Sequence, residues 1–492
     1  MIWRIAKKEF LLNVMTFKFA VGTTLCVLLT VVFVPILAKA YQERLKIYNE
    51  NIAYNERELG KVTVYKNITP TVYRPPSVLA IFCEGLEKQL GNSATIEYDK
   101  VPEITSAAAN HYLSIFSVFD VSLIFKIVIS ILALLVAYDA ISGEREHGTL
   151  RLMLSNTAAR HEVLLGKIVA GLMVLVVPVT IAFILGLLFI LLFPMVELSG
   201  TDWLRLGLMF IASLVFIATI YNLGLFFSCL ARRSAISLVL GLFLWIILAV
   251  VVPNGSAHLA TQIIPVESED LINDKIRSLH KDSESEFWKE VEASGKNFRP
   301  GSESVSDAPG RGGFGHGYVR SCNELKMYNE TLENSIYVPI QIKYANKYAE
   351  VRDRYLSGLY KQTELANRFS RISPISLYEN VMSALAGTDM AAFQQFVNTI
   401  KPYRNDIVEY IRSRTNNFTS STFWTPCTEE EIKTRPSSDD PLLDLSDLPQ
   451  FQYKADIVRD LRRAIPDLAF LIFGNVLFFA MTFVAFLRYD VR

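Results

Sequence analysis

The hydrophobic pattern of the chain is strongly segmented, with six long apolar runs separated by polar stretches. The runs predict transmembrane helices at residues 19–40, 121–141, 164–196, 204–231, 235–253 and 467–488. Each run is long enough to cross a bilayer core, which takes about 20 apolar residues. Charged residues make up 20% of the chain and lie almost entirely between these runs. The pattern therefore predicts an all-α membrane protein with six spans.

Two long polar segments interrupt the series of spans, and these insertions are residues 41–120 and 254–466. The second is large enough for a domain of ordinary size. Within it, apolar residues recur at three- and four-residue spacing from Leu325 to Ile336, which predicts a helix over Asn323–Phe369. In the first insertion, Lys61–Tyr65 has the composition of a strand. We expect mainly helical insertions, with mixed helix and strand confined to the first.

Basic residues cluster in the connections on one side of the spans. One cluster precedes the first span, another lies between the second and third spans, a third lies in the turn between the fourth and fifth, and a fourth follows the sixth. In chain order these residues are Arg4, Lys7, Lys8, Lys18, Arg145, Arg151, Arg160, Lys167, Arg232, Arg233, Arg488 and Arg492. Cytoplasmic connections are enriched in Lys and Arg. We therefore predict that both termini are cytoplasmic and that both insertions are extracytoplasmic. Residues 142–163, here called the coupling loop, form the longest cytoplasmic connection.

The first 18 residues predict a helix that lies in the membrane interface. Ile2, Ala6 and Phe10 fall on one side of this helix, whereas Arg4 and Lys8 fall on another. Such an amphipathic segment binds at the level of the lipid headgroups.

Charge and cysteine usage exclude some classes of function. The 49 basic and 49 acidic residues give a net charge of zero, so the overall balance predicts no nucleic-acid partner. The cysteines lack the spacing of a metal site. Cys322 and Cys427 lie in one insertion and are candidates for a disulfide. Lys126 is the one ionisable residue well inside a span, and it indicates either a functional charge or, as we favour, a side chain that reaches the headgroups from near the outer end of its helix.

Two glycine-rich stretches imitate nucleotide-binding motifs without their chemistry. Gly143–Thr149 has the glycine spacing of a P-loop but lacks the lysine that reaches the phosphates. Gly310–Gly315 fits the dinucleotide pattern but has no preceding strand. No metalloprotease or nucleophile-elbow motif is present either. We expect a chain that is not itself an enzyme and holds no cofactor.

The coupling loop carries the most informative motif of the chain. Charged residues come first and apolar ones follow, in the order Gly143, Glu144, Arg145, Glu146, His147, Gly148, Thr149, Leu150 and Leu154. Arg160, Gly166 and Lys167 then lead into the third span. A short helix here would have one charged side and one apolar side. It would offer a docking surface to a cytoplasmic protein, and Glu144 and Glu146 could pair with basic groups of that protein or cap a helix.

This motif resembles the permeases of type 2 ATP-binding-cassette (ABC) exporters, which also have six spans. The large insertions, together with Arg371–Pro374, Tyr378 and Leu385–Thr388, are similar to a branch linked to nitrous-oxide-reductase maturation and gliding motility. The resemblance implies a separate cytoplasmic ATPase dimer that holds ATP and magnesium and docks on Glu144–Leu154. It also implies a second permease subunit, expected as a homodimer, in the inner membrane of a prokaryote.

Three functions agree with these features. The first is export of an unidentified substrate by the permease. The second is transmission of mechanical force to extracytoplasmic partners, without movement of a substrate. The third is a receptor or scaffold without an ATPase, which purification with native partners would distinguish from the other two.

Overall fold

Six long apolar helices form the membrane part of the fold. The computed structural model describes residues 2–105, 120–150, 159–193, 196, 198–295, 324–425 and 442–488. Within these ranges, the helices long and apolar enough to cross a membrane are span 1 (Phe17–Leu59), span 2 (Val121–Glu146), span 3 (Arg160–Leu191), span 4 (Gly200–Leu230), span 5 (Ser234–Ile263) and span 6 (Ile457–Leu487). The predicted all-α membrane fold with six spans is confirmed.

Successive spans run in opposite directions, so both insertions fall at one end of the bundle. We call this the insertion end, and we call the opposite end, which carries the coupling loop, the loop end. Side-chain contacts join the spans at each end. Lys18 Nζ lies 2.6 Å from Asp139 Oδ2 at the loop end, and Arg205 Nη2 lies 2.6 Å from Asp460 Oδ2 at the insertion end. The described residues of the basic clusters noted above accordingly share the loop end; Arg151 and Arg492 lie outside the described residues.

Three spans extend about ten residues or more beyond their apolar runs. Span 1 continues to Leu59 instead of ending at residue 40, span 5 continues to Ile263, and span 6 begins at Ile457 instead of residue 467. The hydropathy pattern marks only the part of a helix that suits lipid. The polar extensions stay helical because Glu, Lys, Arg, Leu and Ala are good helix formers.

An N-terminal helix precedes span 1 and packs on span 3. It covers Ile2–Val14, and the side chain of Thr16 then caps span 1 by accepting the N–H of Phe19. Ala6 is fully buried, and the Cα of Gly166 is so near the helix that a Cβ there would come within 2.8 Å of the Ile5 side chain. The helix predicted over residues 1–18 is present, and it contacts protein along one side.

The first insertion contains the strands β1 (Thr71–Tyr73), β2 (Ser93–Thr95) and β3 (Glu103–Thr105). They form an antiparallel sheet of order β1-β2-β3, in which Ala94 pairs with Val72 on one side and Ile104 on the other. The strand predicted at Lys61–Tyr65 was wrong, because those residues lie outside the sheet. Strand propensity depends on a neighbouring strand to pair with, and that stretch has none in the part of the chain described.

In the described part of the second insertion, four α-helices follow, and they cover Glu269–Ala293, Glu324–Ser370, Pro374–Ala386 and Met390–Arg414. The helix predicted at Asn323–Phe369 is confirmed. Ile68 of the first insertion and Phe396, Ile407 and Phe423 of the second belong to one buried apolar cluster, so the insertions share a core. Cys322 and Cys427 lie outside the described residues, and their disulfide stays a prediction.

The short helix Pro374–Ala386, here called the buried helix, inserts between the spans at the insertion end. The Ser373 side chain caps its start, and Gly387, with a φ of +68°, ends it in the left-handed region that favours glycine. The helix packs against spans 4 and 6. Tyr378 stacks on Phe216 of span 4 with ring centroids 4.4 Å apart. The second insertion is therefore anchored inside the bundle.

Ion pairs surround the buried helix. Lys126 Nζ in span 2 lies 2.5 Å from Glu379 Oε2, and Arg371 Nε lies 2.6 Å from Asp467 Oδ1 in span 6. Lys126 therefore has a protein partner, whereas our preferred interpretation gave it only the headgroups. Lys126 lies in a π-helical turn, Phe125–Ile129. Such turns are frequent at functional sites.

Candidate coupling site at the loop end

Lys167, near the start of span 3, is the residue that joins the charged side chains of the loop end. Its side chain is only 2% exposed, and its Nζ lies 2.8 Å from Glu144 Oε1 and 3.1 Å from Glu9 Oε1. Two carboxylates from different elements thus share one buried cation. Because an unpaired charge is costly in a buried position, this arrangement holds the N-terminal helix and the coupling loop to span 3.

The first part of the coupling loop is a one-turn helix, Ser142–Glu146, that is fixed to span 4. Ser228 Oγ accepts hydrogen bonds from the backbone N–H groups of Ile141 and Ser142, each 3.0 Å long. Arg145 Nη1 donates to the carbonyl oxygen of Ala231, the residue that ends span 4, over 3.0 Å. These bonds satisfy backbone groups that helix ends leave without partners.

Glu146 joins the same turn to span 5. One of its carboxylate oxygens accepts hydrogen bonds from the Ser234 hydroxyl (2.7 Å) and backbone N–H (3.1 Å). Ser234 is the first residue of span 5, so the carboxylate lies at a helix N-terminus, where negative charge is stabilised. Glu144 and Glu146 are therefore both engaged within the chain. The sequence left two roles open for these glutamates, pairing with basic groups of a partner or capping a helix. Glu146 caps a helix, and that helix is span 5.

An exposed edge follows at Glu146–Thr149. Gly148 has a φ of +74°, and no atom of the described residues lies within 4 Å of the position that a Cβ would take. The left-handed turn accounts for glycine here and directs the edge away from the bundle. Leu150, the next apolar residue, is buried again at 1% exposure. The open surface of the described part of the loop is therefore short and continuous.

Other residues of the motif have separate places. Arg160 Nη1 donates to the carbonyl oxygen of Leu487 at the end of span 6, over 2.9 Å. Gly166 faces the N-terminal helix, and Gly143 lies within the helical turn. Leu154 lies outside the described residues. Gly143, Glu144, Arg145, Glu146 and Lys167 are thus brought together, whereas Arg160 is joined to a different span.

Several residues of this site escaped the sequence analysis. Glu9, Asp139, Ser228 and Ser234 contribute polar groups, and Tyr221 donates to the carbonyl oxygen of Lys167 over 3.1 Å. A signal existed for Glu9, because it is the only acidic residue before Glu43. The two serines lie at the ends of apolar runs and carried no signal. In the described residues, no cluster of His, Cys, Asp and Glu could hold a metal ion.

The contacts of the coupling loop can transmit a mechanical force. The coupling loop is bonded to spans 3, 4 and 5, and through Lys167 of span 3 it is linked to the N-terminal helix, so a force on its exposed edge acts on these elements together.

Comparison with known protein families identifies the family of this chain. The chain matches the family described as ABC-2 family transporter protein over residues 3–491. The chain belongs to the ABC-2 transporter family. The predicted resemblance is confirmed, and the protein is a multi-pass membrane protein of the ABC transporter permease type.

A relative in Pseudomonas aeruginosa is described as a probable ABC transporter permease protein, NosY. It is 34% identical over 145 residues, which correspond to 27% of this chain and 52% of the relative. The chain thus spans about half the length of the curated relative that it matches.

Proposed function

We propose that this ABC-2 permease is the membrane subunit of an ATP-driven exporter. A separate cytoplasmic ATPase dimer binds ATP and magnesium and hydrolyses the ATP. It docks on the edge Glu146–Thr149, and its closure pushes the coupling loop. The substrate is not specified by this proposal. The loop end then faces the cytoplasm of a prokaryotic cell, and both insertions face outward.

The observation that carries the proposal is the way the coupling loop is fixed. A docking element must be open on one side and stiff on the other. The edge is exposed, while Glu144, Arg145 and Glu146 bond to three different elements behind it. A partner that cycles between two states can therefore bias the bundle between two arrangements.

A second copy of the permease completes the pathway in this proposal. In their most apolar stretches, spans 5 and 6 are each only 17% buried within the chain, against 61% for spans 2 and 4. Lipid covers part of the exposed surface, and the second copy covers the rest.

The test places two charges on the edge. The variant His147→Glu/Thr149→Glu should reduce co-purification of a co-expressed ABC ATPase at least tenfold, since both side chains are exposed. The matched control is His258→Glu/Thr261→Glu, which changes the same residue types, also exposed, at the insertion end.

The control should retain the ATPase. Unchanged co-purification with the loop-end variant would refute docking at this edge. Glu144→Gln gives a separate measurement, because it weakens the contact to Lys167 and leaves the edge intact. It should retain the ATPase but lower permease-stimulated ATP turnover.

One observation favours the second candidate, a force-transmitting complex. The buried helix joins the second insertion to span 2 through Glu379, and Arg371, just before this helix, joins the insertion to span 6. Movement of the spans would therefore reach the outer domain directly. ATP-dependent distance changes between spin labels at residues 127 and 288, which leave the Lys126–Glu379 pair in place, would favour this function over export if no solute is exported from reconstituted vesicles in the presence of ATP.

A further inference from the structure

A groove of about 760 Å³ lies in the outer domain, between the helices Glu269–Ala293 and Glu324–Ser370 and the segment that leads into β3. The volume is typical of pockets that bind small ligands. Five aromatic or imidazole rings line it, and they are His280, Phe287, Trp288, Tyr337 and Tyr348. The groove is distant in sequence from the coupling loop and takes no part in the contacts described there.

The rings form a supported surface. Phe287 is 9% exposed and contacts Trp288 and Tyr337 edge-on, with centroids 5.2 and 5.6 Å apart. Trp288 is 58% exposed. Its indole is therefore positioned by a buried neighbour while much of its surface stays open to a ligand.

The described polar lining carries no excess of charge. Among the described residues, three basic and three acidic side chains face the groove, together with two amides: Lys100, Lys281, Arg352, Asp99, Glu103, Glu284, Asn273 and Gln341. A polyanion such as a nucleic acid or an anionic lipid surface requires a basic excess, which this lining lacks. Val101 and Ile276 are the only aliphatic residues in the described lining. An acyl chain or an amphipathic helix needs a far more aliphatic groove.

One tyrosine of the lining is fixed in the wall of the groove. Tyr348 is 5% exposed, and its hydroxyl oxygen is buried among the described residues. Ser283 lies beside it, donates its own proton to the carbonyl oxygen of His280 over 2.8 Å, and keeps a lone pair that can accept the tyrosine proton. Tyr348 therefore contributes its ring to the groove, while its hydroxyl stays inside the wall.

We propose that this groove binds a neutral oligosaccharide. The C–H faces of sugar rings stack on aromatic surfaces, and here the open indole of Trp288 would receive one. The hydroxyls of the same sugars pair with planar carboxylate, amide and guanidinium groups, which Glu284, Asn273 and Arg352 provide. The proposed topology, on which this inference rests, puts the groove on the side of the membrane where cell-envelope glycans occur.

The test uses the full chain in lipid nanodiscs with chitotetraose, cellotetraose and maltotetraose as probes. Titration calorimetry should give a dissociation constant below about 1 mM for one of them, in the range of weak specific binding. Trp288→Ala should weaken that binding at least tenfold. Trp203→Ala, which removes an exposed indole at the start of span 4, is the matched control and should leave it unchanged.

Absence of binding by all three probes at 10 mM would overturn the proposal, and so would binding that survives Trp288→Ala. Binding of poly-glutamate or of vesicles with anionic lipid that competes at Trp288, with no sugar bound, would also overturn it. Because no ATPase is present, failure here leaves the proposed coupling function intact. Conversely, loss of ATPase docking leaves the sugar titration unaffected.

Discussion

Lys167 at the loop end and Arg205 at the insertion end are both cations buried at the ends of spans, yet they are held differently. Lys167 is shared by two carboxylates, from the N-terminal helix and the coupling loop. Arg205 pairs with Asp460, which also contacts Arg463 within span 6. Contacts at the loop end thus join a small exposed segment to the spans, whereas those at the insertion end join span to span and to a folded domain.

This difference bears on how the two ends can move. At the loop end, residues beyond the buried charges remain open to a partner, so a force applied there has an entry point. At the insertion end, the buried helix fills the space between the spans, and its ion pairs must rearrange if the spans separate. The comparison predicts that the insertion end resists perturbation more strongly and that the loop end controls assembly.

Loss of the Asp460 carboxylate should have the largest effect on stability. Arg205 and Asp460 are 8% and 6% exposed, so Asp460→Asn leaves a buried guanidinium without its partner. A broken buried pair costs about 3–5 kcal/mol. We expect a marked fall in the midpoint of thermal unfolding in detergent. The double variant Arg205→Met/Asp460→Met, which removes both charges, should recover most of the loss. A double variant as unstable as the single one would show that the pair itself is not responsible.

Lys167→Met should have the next largest effect and should act at the loop end. It leaves Glu9 and Glu144 facing each other without a cation. We expect the free energy that holds the N-terminal helix in place to fall by about 3 kcal/mol. The helix should then detach without unfolding of the whole protein. Hydrogen exchange of residues 2–14 measures this. Adding Glu9→Gln and Glu144→Gln should restore protection, and unchanged exchange in Lys167→Met would contradict a central role for this cation.

The insertion end should lose stability as the pH rises. Burial raises the pKa of Asp120, next to the start of span 2, from its ordinary value of 3.8 to about 6, and burial also raises the pKa of Glu84. The folded protein therefore holds protons that the unfolded chain has released. The stabilising contribution is full below about pH 4 and is lost as the pH passes through about 6. Unfolding midpoints at pH values from about 4 to 7 measure this slope, and Asp120→Asn should reduce it.

Gly148→Ala should have the smallest effect on stability. It should show the cost of backbone strain alone, without a steric clash of the new side chain. Its φ of +74° is unfavourable for alanine, although in the part of the chain that the structure describes no atom lies within 4 Å of the added Cβ. The expected cost is about 1 kcal/mol, confined to the coupling loop. Gly200, in the first turn of span 4, also has an open Cβ position, and Gly200→Ala should be neutral. Reduced ATPase co-purification in the first variant alone would link this turn to docking. Equal retention in both would argue against it.

The spans and the long outer helix could be predicted because their signals are local. Apolar runs and the spacing from Leu325 to Ile336 depend only on neighbouring residues. The partner of Lys126 could not be predicted, since Glu379 lies 253 residues away and meets it only through the fold. The same holds for Ser228 at the candidate site, whose role depends on how spans 2 and 4 meet. The error at Lys61–Tyr65 has a related cause, because strands need partners that a single stretch cannot supply.

The length of span 1 has a geometric consequence. Its 43 residues make a rod of about 64 Å, roughly twice the thickness of the bilayer core. Its foot is tied to span 2 by Lys18 and Asp139, and its tip at Leu59 packs on the apolar core of the insertions. A tilt of about 10° about the foot, well within the range seen for membrane helices, would displace the tip by about 11 Å. A small angular change at the loop-end foot would thus become a large displacement far outside the membrane.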